Sequence, residues 1–434
     1  MENRTRNYRI MAFGFDNMTS NDCLMRKQRL AGIFLLALSL VNGIWIYLLI
    51  PKLQRGYQDF VSFYCGGLMV RRGLGPRLYD LPLQYRTQLE YAPHVDIRNA
   101  ALPYNHPPFE ALLFVPLTYL GFFPAYLLWV VLNIAMLISC LFVLRKTYPE
   151  IAGLKWWFLV VAMGAFIPVA TALMHGQDSL LLMLLVTLAL SYLDGNSEVA
   201  AGVALAACLF KFQIAVPMML ILSPRRPRLL LGFLPAAATL AAISALVVGV
   251  TGATNYLKFV FFLEKSGAGG AIPAAGSPNL HGFIATLAGS SERSSYTMWI
   301  TVAASIVAAG FAEWMITNVD SMRLIYAIAT LTAAMVSYHV LAHDLTIMVP
   351  FVLLLFATSA PPLRFEIRGD TVLLVSLYSI LWLAVRWPVL NPLWCVPAAL
   401  WIYWKLAYVP AAVGTLRRTN RRESPVQRMK CKTN

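Results

Sequence analysis

The sequence predicts an all-α polytopic membrane protein, a bundle of about 10–12 transmembrane helices with a long first loop on the extracytoplasmic side. Three observations predict it. AVILMFWYC residues make up 59% of the 434 residues and charged residues only 13%, against about 25% charged in soluble proteins. Several runs approach the ~20 apolar residues that span a bilayer. The basic residues sit at the ends of those runs, where the positive-inside bias puts them. The net charge of +15 is therefore read as membrane topology, and no nucleic acid is expected as a partner.

The elements follow in order. Residues 1–29 carry Arg4, Arg6, Arg9, Arg26, Lys27 and Arg29 and are expected in the cytoplasm. Leu30 to Ile50 is an apolar run with no small-residue cleavage site after it, so it reads as a retained anchor. Residues 51–108 form a first outer loop too long for a simple connector, with short helices expected at Phe60 to Arg72 and Leu83 to Tyr91. Ala111 to Leu120 is apolar but too short to cross, and reads as an interfacial or re-entrant piece. Phe123 to Leu144, Trp156 to Met174 and Leu180 to Leu193 cross in turn, with His175-Gly176-Gln177-Asp178 as an outer turn.

Val199 to Leu222, read as one span, would put Arg225, Arg226 and Arg228 outside. Read as a hairpin turning near Phe210-Lys211-Phe212, it returns them inside, and the hairpin is expected. Lys211 then lies deep in the bilayer, at a cost of about 2.5 kcal/mol or more, and needs an anionic partner. Leu229 to Val250 crosses outward, and residues 251–296 form a second outer loop of a composition that suits a mobile lid. Spans are expected near 297–317, 322–338, 345–358, 371–387 and 393–412, before a basic cytoplasmic tail at 413–434. The transmembrane domain thus covers 30–412, with both termini cytoplasmic.

Four polar clusters interrupt the apolar sequence on the outer side. They are Asp59 with Tyr64 and the loop arginines; Tyr104-Asn105-His106; His175-Gly176-Gln177; and His339-x-x-x-His343-Asp344. Asp59 is the first carboxylate beyond the first span. It is read either as a solvated or helix-capping charge or as a general base beside a lipid substrate. The i, i+4 spacing of His339 and His343 suits a metal on a helix, but there is no HExxH and no nearby third ligand, so a hydrogen-bonding or basic role is favoured. The six cysteines are scattered without a CxxC, so no disulfide framework or thiolate metal site is indicated. Neither GxGxxG nor GxSxG opens a helix, which leaves a nucleotide-dependent site unsupported. No half of the chain visibly repeats the other, which weighs against the alternative of a transporter or a lipid-linked glycan flippase.

The order Asp59-Phe60, Gly73, Leu78-Tyr79-Asp80, Tyr104-x-His106-Pro107-Pro108-Phe109, Pro116-Leu117, His175-Gly176-Gln177-x-Ser179, Ala201-Gly202, Lys211, Pro217 and His339-x-x-x-His343-Asp344-Leu345 resembles glycosyltransferase family 87 over roughly residues 30–400. Tyr338 and His343 depart from that family's pattern. The resemblance implies a GT-C fold in the cell (inner or plasma) membrane and a hexosyltransferase, with mannose as the expected sugar. It implies a polyprenyl-phosphate-sugar donor and an extracytoplasmic glycolipid or glycan acceptor. Asp59 would be the base of an inverting transfer. Lys211, Arg71 and Arg72 would face the donor phosphate. His106, His339, His343, Asp344, Gln177, Tyr104 and Asn279 would contact substrate. Gln58 beside the single Asp59 implies independence of a metal, and no cofactor is expected.

Overall fold

The computed structural model describes residues 20–56, 59–92, 102–266, 277–289, 295–358 and 364–406. The described residues are all-α, with no strand among them. Residues 1–19 of the basic amino-terminal segment, Gln58, His94, the centre of the second outer loop and the tail beyond 406 lie outside them.

α1 (Ser20–Leu53) has 34 residues, and Ile33, Leu40, Ile44 and Leu48 stand exposed along it. A continuous apolar surface of this kind is stable against lipid, not water. The first outer loop then folds into α2 (Phe60–Arg71), α3 (Leu81–Tyr91) and α4 (Pro108–Phe114). Local chemistry starts two of them. Asp80 caps α3 by accepting from the Leu83 amide at 3.1 Å, and Pro107-Pro108 sets the first turn of α4. Phe60, Phe63, Tyr64, Tyr104 and Phe114 pack with Trp129 of α5 (Phe122–Thr147) into an aromatic core separate from that of the main bundle. The loop is therefore a packed cap on the bundle.

α6 (Trp156–Ala165) and α7 (Ile167–His175) form one passage broken by a 68° bend. α8 (Ser179–Asp194) returns. α9 (Glu198–Ala207) and α10 (Phe212–Leu222) meet at Lys211, whose backbone leaves the helical region (φ −115, ψ 57). These 25 residues are long enough for one span and would measure about 37 Å as a straight helix. Yet Arg226 Nη1 lies 3.3 Å from Glu198 Oε1 and the Arg228 amide donates to Glu198 Oε2 at 3.2 Å. Both ends thus sit on one face, and the segment is the hairpin that the arginines required.

α11 (Leu229–Ser266) breaks at Gly249 (φ +69) but continues to Ser266. The segment expected as the second outer loop, 251–296, thus opens with a helical stretch running to Ser266 and also contains α12 (Leu280–Leu287). α13 (Ser295–Thr317), α14 (Met322–Val336), α15 (Val349–Ala357), α16 (Arg364–Arg386) and a last helix over 395–406 complete the bundle. Among the described residues six helical segments are long and apolar enough to cross a bilayer, one of them the 198–222 segment that turns back as the hairpin, and the bent α6–α7 pair makes a further passage. The higher number expected from the sequence needs shorter helices such as α8 and α14, whose ends nonetheless reach opposite faces.

Contacts define those faces. On one, Arg323 pairs with Glu150 at 2.6 Å, Arg225 donates to the Val319 carbonyl at 2.7 Å and Lys155 N donates to Gln28. Asp370 there binds Lys27 and, at 3.0 Å, Lys405, and its other oxygen accepts from Trp401 Nε1 at 2.9 Å. On the other face Asn279 donates to the Ser337 carbonyl at 2.7 Å, and Trp394 to that of Pro278 at 2.9 Å. This second face also carries the first-loop cap and the polar clusters.

Candidate active site

The turn between α7 and α8 is the centre of the polar face. Gly176 adopts a left-handed conformation (φ +61), which glycine takes without steric cost. A Cβ there would lie 2.9 Å from Phe60 Cβ, so no side chain fits. Trp129 Nε1 donates to the Gly176 carbonyl at 2.9 Å and Tyr126 Oη to that of Met174 at 2.8 Å. These bonds from α5 fix the turn against the start of α2. In consequence Gln177 Nε2 donates to Asp59 Oδ2 at 2.7 Å and His175 Nδ1 lies 3.3 Å from the same oxygen.

Asp59 is thereby held and oriented. Burial alone would push its carboxyl up, but the His175 ring, its hydrogen bond, the nearby His343 and the Gln177 amide outweigh that and hold it below the ordinary carboxylate range. Its side chain remains 28% exposed. Asp178 and Asp344, at 0% and 1%, are enclosed. Asp59 is thus the acid of this group that an incoming hydroxyl can reach.

Behind it lies a second, buried layer. Lys211, at the hairpin tip, places Nζ 3.2 Å from Asp178 Oδ1 and 3.2 Å from Asp344 Oδ1. Asp344 also accepts from Ser179 Oγ at 3.0 Å and from the Leu341 amide at 2.9 Å. Thr346 Oγ1 donates to the Ser179 carbonyl at 2.9 Å. Three segments distant in sequence, at 178–179, 211 and 341–346, are therefore locked to one another. The ammonium expected to need an anionic partner has two.

His106 stands beside this layer, with Nδ1 2.7 Å from Glu110 Oε2 and 3.5 Å from Asp178 Oδ2. Burial pushes its imidazole down to about 4, keeping it neutral, and pushes the Glu110 carboxyl up to about 8. Its ring packs edge-on to Phe63, centroids 4.8 Å apart.

Of the residues singled out in the sequence, Asp59, Gln177, His106, Lys211, His343 and Asp344 come together with His175. Tyr104 is buried beside them, its hydroxyl donating to the Pro107 carbonyl at 3.2 Å. His339 is half-buried on the same connection as His343. Asn279 serves as the cap of α12, accepting from the Gly282 amide at 2.8 Å. Arg71 and Arg72 lie at the far end of α2. Arg71 donates to the Thr118 carbonyl and stacks over Tyr119, and Arg72 pairs with Glu90 at 2.8 Å. Two acids absent from that selection, Glu110 and Asp178, are central. A glutamate four residues after His106 and an aspartate closing a His-Gly-Gln turn are their only local marks, too weak to single them out in a chain with 20 acids.

The arrangement provides a partly exposed carboxylate, held in its ionised form, at the edge of a buried cluster of polar side chains packed against Phe63 and Tyr104. The sequence matches the family model of glycosyltransferase family 87 over residues 104–342. No curated protein and no solved structure matches it.

Proposed function

Because this chain belongs to glycosyltransferase family 87, we propose that it transfers a hexose, mannose being our choice, from a polyprenyl-phosphate sugar to a glycolipid or glycan acceptor. The observation that carries the mechanism is Asp59: ionised, oriented by Gln177 and His175, and open on one side. The acceptor oxygen attacks the anomeric carbon and its proton passes to Asp59. The bond from that carbon to the phosphate oxygen breaks, and the polyprenyl phosphate leaves with the electron pair. A base on one side and a leaving group on the other give inversion. Phosphate leaves without a strong acid, so a single carboxylate suffices.

Lys211 takes a different role here from the donor contact expected of it. Its charge is matched by Asp178 and Asp344, so it acts as a positioning residue that holds the cluster together. Arg71 and Arg72 are engaged elsewhere and take no part in the transfer. The basic face is assigned to the cytoplasm by its arginines and lysines, which makes the Asp59 face extracytoplasmic, where lipid-linked sugars are used.

The test is a turnover assay on purified protein with polyprenyl-phosphate mannose and a membrane-lipid acceptor extract, following release of polyprenyl phosphate. Asp59→Asn should lower turnover at least ~100-fold. A variant within a few-fold of wild type would remove Asp59 as the base.

A further inference from the structure

Glu110 and Asp178 are an unusual pair. Both carboxylates are enclosed, at 2% and 0% side-chain exposure. No other residue donates a well-aligned hydrogen bond to any of their four oxygens, although a buried carboxylate without donors is costly; for hydrogen bonding the two carboxyls have only each other. The His106 Nδ1 atom is close to both but off the donor line to either, and it too is unbonded. Lys211 is shared by Asp178 and Asp344, so its one charge does not cover Glu110 as well. The cluster is short of hydrogen-bond donors, and its ligand atoms converge.

We propose that His106, Glu110 and Asp178 form a binding site for one divalent cation of the Mn²⁺ or Mg²⁺ class. One ligand atom from each lies within 4.8 Å of the other two. Around a six-coordinate ion at about 2.1 Å, neighbouring ligands stand about 3 Å apart, so small side-chain rotations bring the three into place. Two carboxylates and one imidazole, with no thiolate, suit a hard ion that keeps open positions for oxygen ligands. Asp178 offers Oδ2 to the ion while Oδ1 faces Lys211, and His106 presents Nδ1. The fixed ring packing of His106 on Phe63 and the proline start of α4 orient two of the ligands in advance. Gln58 beside Asp59, in place of a paired acid, argued against a metal at Asp59; the fold assembles other acids from α4 and the α7–α8 turn.

The occupancy of this site stands on geometry alone. Its use rests on the proposed transfer, in which open positions on the ion would accept oxygens of the donor phosphate and neutralise the departing charge. That supplies the positive charge that Lys211, already paired, does not.

The experiment uses full-length protein in nanodiscs titrated with Mn²⁺ and read by electron paramagnetic resonance. Loss of the free-ion signal should saturate at one ion per chain, and pulsed spectra of the bound ion should show coupling to an imidazole nitrogen. Glu110→Gln and Asp178→Asn should each weaken binding at least about tenfold. His106→Gln should abolish the nitrogen coupling, and Asp59→Asn should bind as wild type does. Absence of saturable binding, or a bound ion without nitrogen coupling, overturns the site on wild-type protein alone. Binding unchanged by the Glu110 and Asp178 substitutions also overturns it. A bound ion without sugar transfer would retire the proposed function and leave the site; transfer in a chain that binds no ion would do the reverse.

Discussion

Asp59 carries its consequences for pH at the level of a single side chain. Its carboxyl is held below the ordinary value of 3.8 by His175, His343 and Gln177, against burial. A depressed folded-state value means the fold favours the ionised form, so the contribution to stability is present above about pH 4 and is lost as pH falls through the lower folded value. The stability difference between wild type and Asp59→Asn should therefore shrink on acidification below pH 4, as measured by thermal melting in detergent. The acid limb of kcat/KM should show no group titrating near pH 5 to 6 that belongs to Asp59. Gly176 makes a second residue-scale prediction. Gly176→Ala meets both a positive φ and Phe60 Cβ at 2.9 Å, at a cost of about 1–3 kcal/mol. The expected outcome is a lower melting temperature together with reduced turnover, because the same turn orients Gln177 on Asp59. A melting temperature unchanged from wild type would refute this account of the turn.

At the scale of elements, the hairpin of α9 and α10 carries Lys211 to the buried aspartates. Lys211→Met leaves Asp178 and Asp344 buried side by side without their shared cation, a loss of about 3–5 kcal/mol in buried pairs. Adding Asp344→Asn removes one of the stranded charges and should restore part of the stability. If the double variant melts no higher than the single one, the shared ammonium is not what holds the two aspartates. The hairpin was legible in sequence because charge at its far end constrained its path: Arg225, Arg226 and Arg228 had to return to the basic face. Asp59 was legible because it follows a span. Arg71 and Arg72 misled for a geometric reason. They stand in the same loop as Asp59, but a 12-residue helix separates them from it by about 18 Å. Glu110 was hidden in an apolar run, where nothing local distinguishes a packed glutamate from a site acid. It became visible only when α4 and the α7–α8 turn were seen to converge.

For the whole molecule, the ends of the helices sort onto two faces, and this pattern was readable from the alternation of apolar runs and basic ends. The lengths of individual passages were not. Of the short helices, α8 starts at the buried polar turn beneath the first-loop cap and α14 ends against Asn279, so a bilayer-length run is not required of them. Sidedness can be checked with cysteines placed at exposed positions. Asn105→Cys on the Asp59 face should react with a membrane-impermeant maleimide in intact cells, and Asn196→Cys on the basic face only after permeabilisation. The reverse pattern would invert the assignment of the faces. The Asp370 cluster has a further consequence, and it concerns biosynthesis. Lys27 of α1 reaches a carboxylate 343 residues downstream, and Lys405 of the last described helix binds the same oxygen. At about 5–20 residues per second, a ribosome takes roughly 17–70 s to deliver the acid after the lysine. Throughout that interval α1 waits in the bilayer with its ammonium at the headgroup boundary, and the bundle can latch shut only as translation nears the last helix.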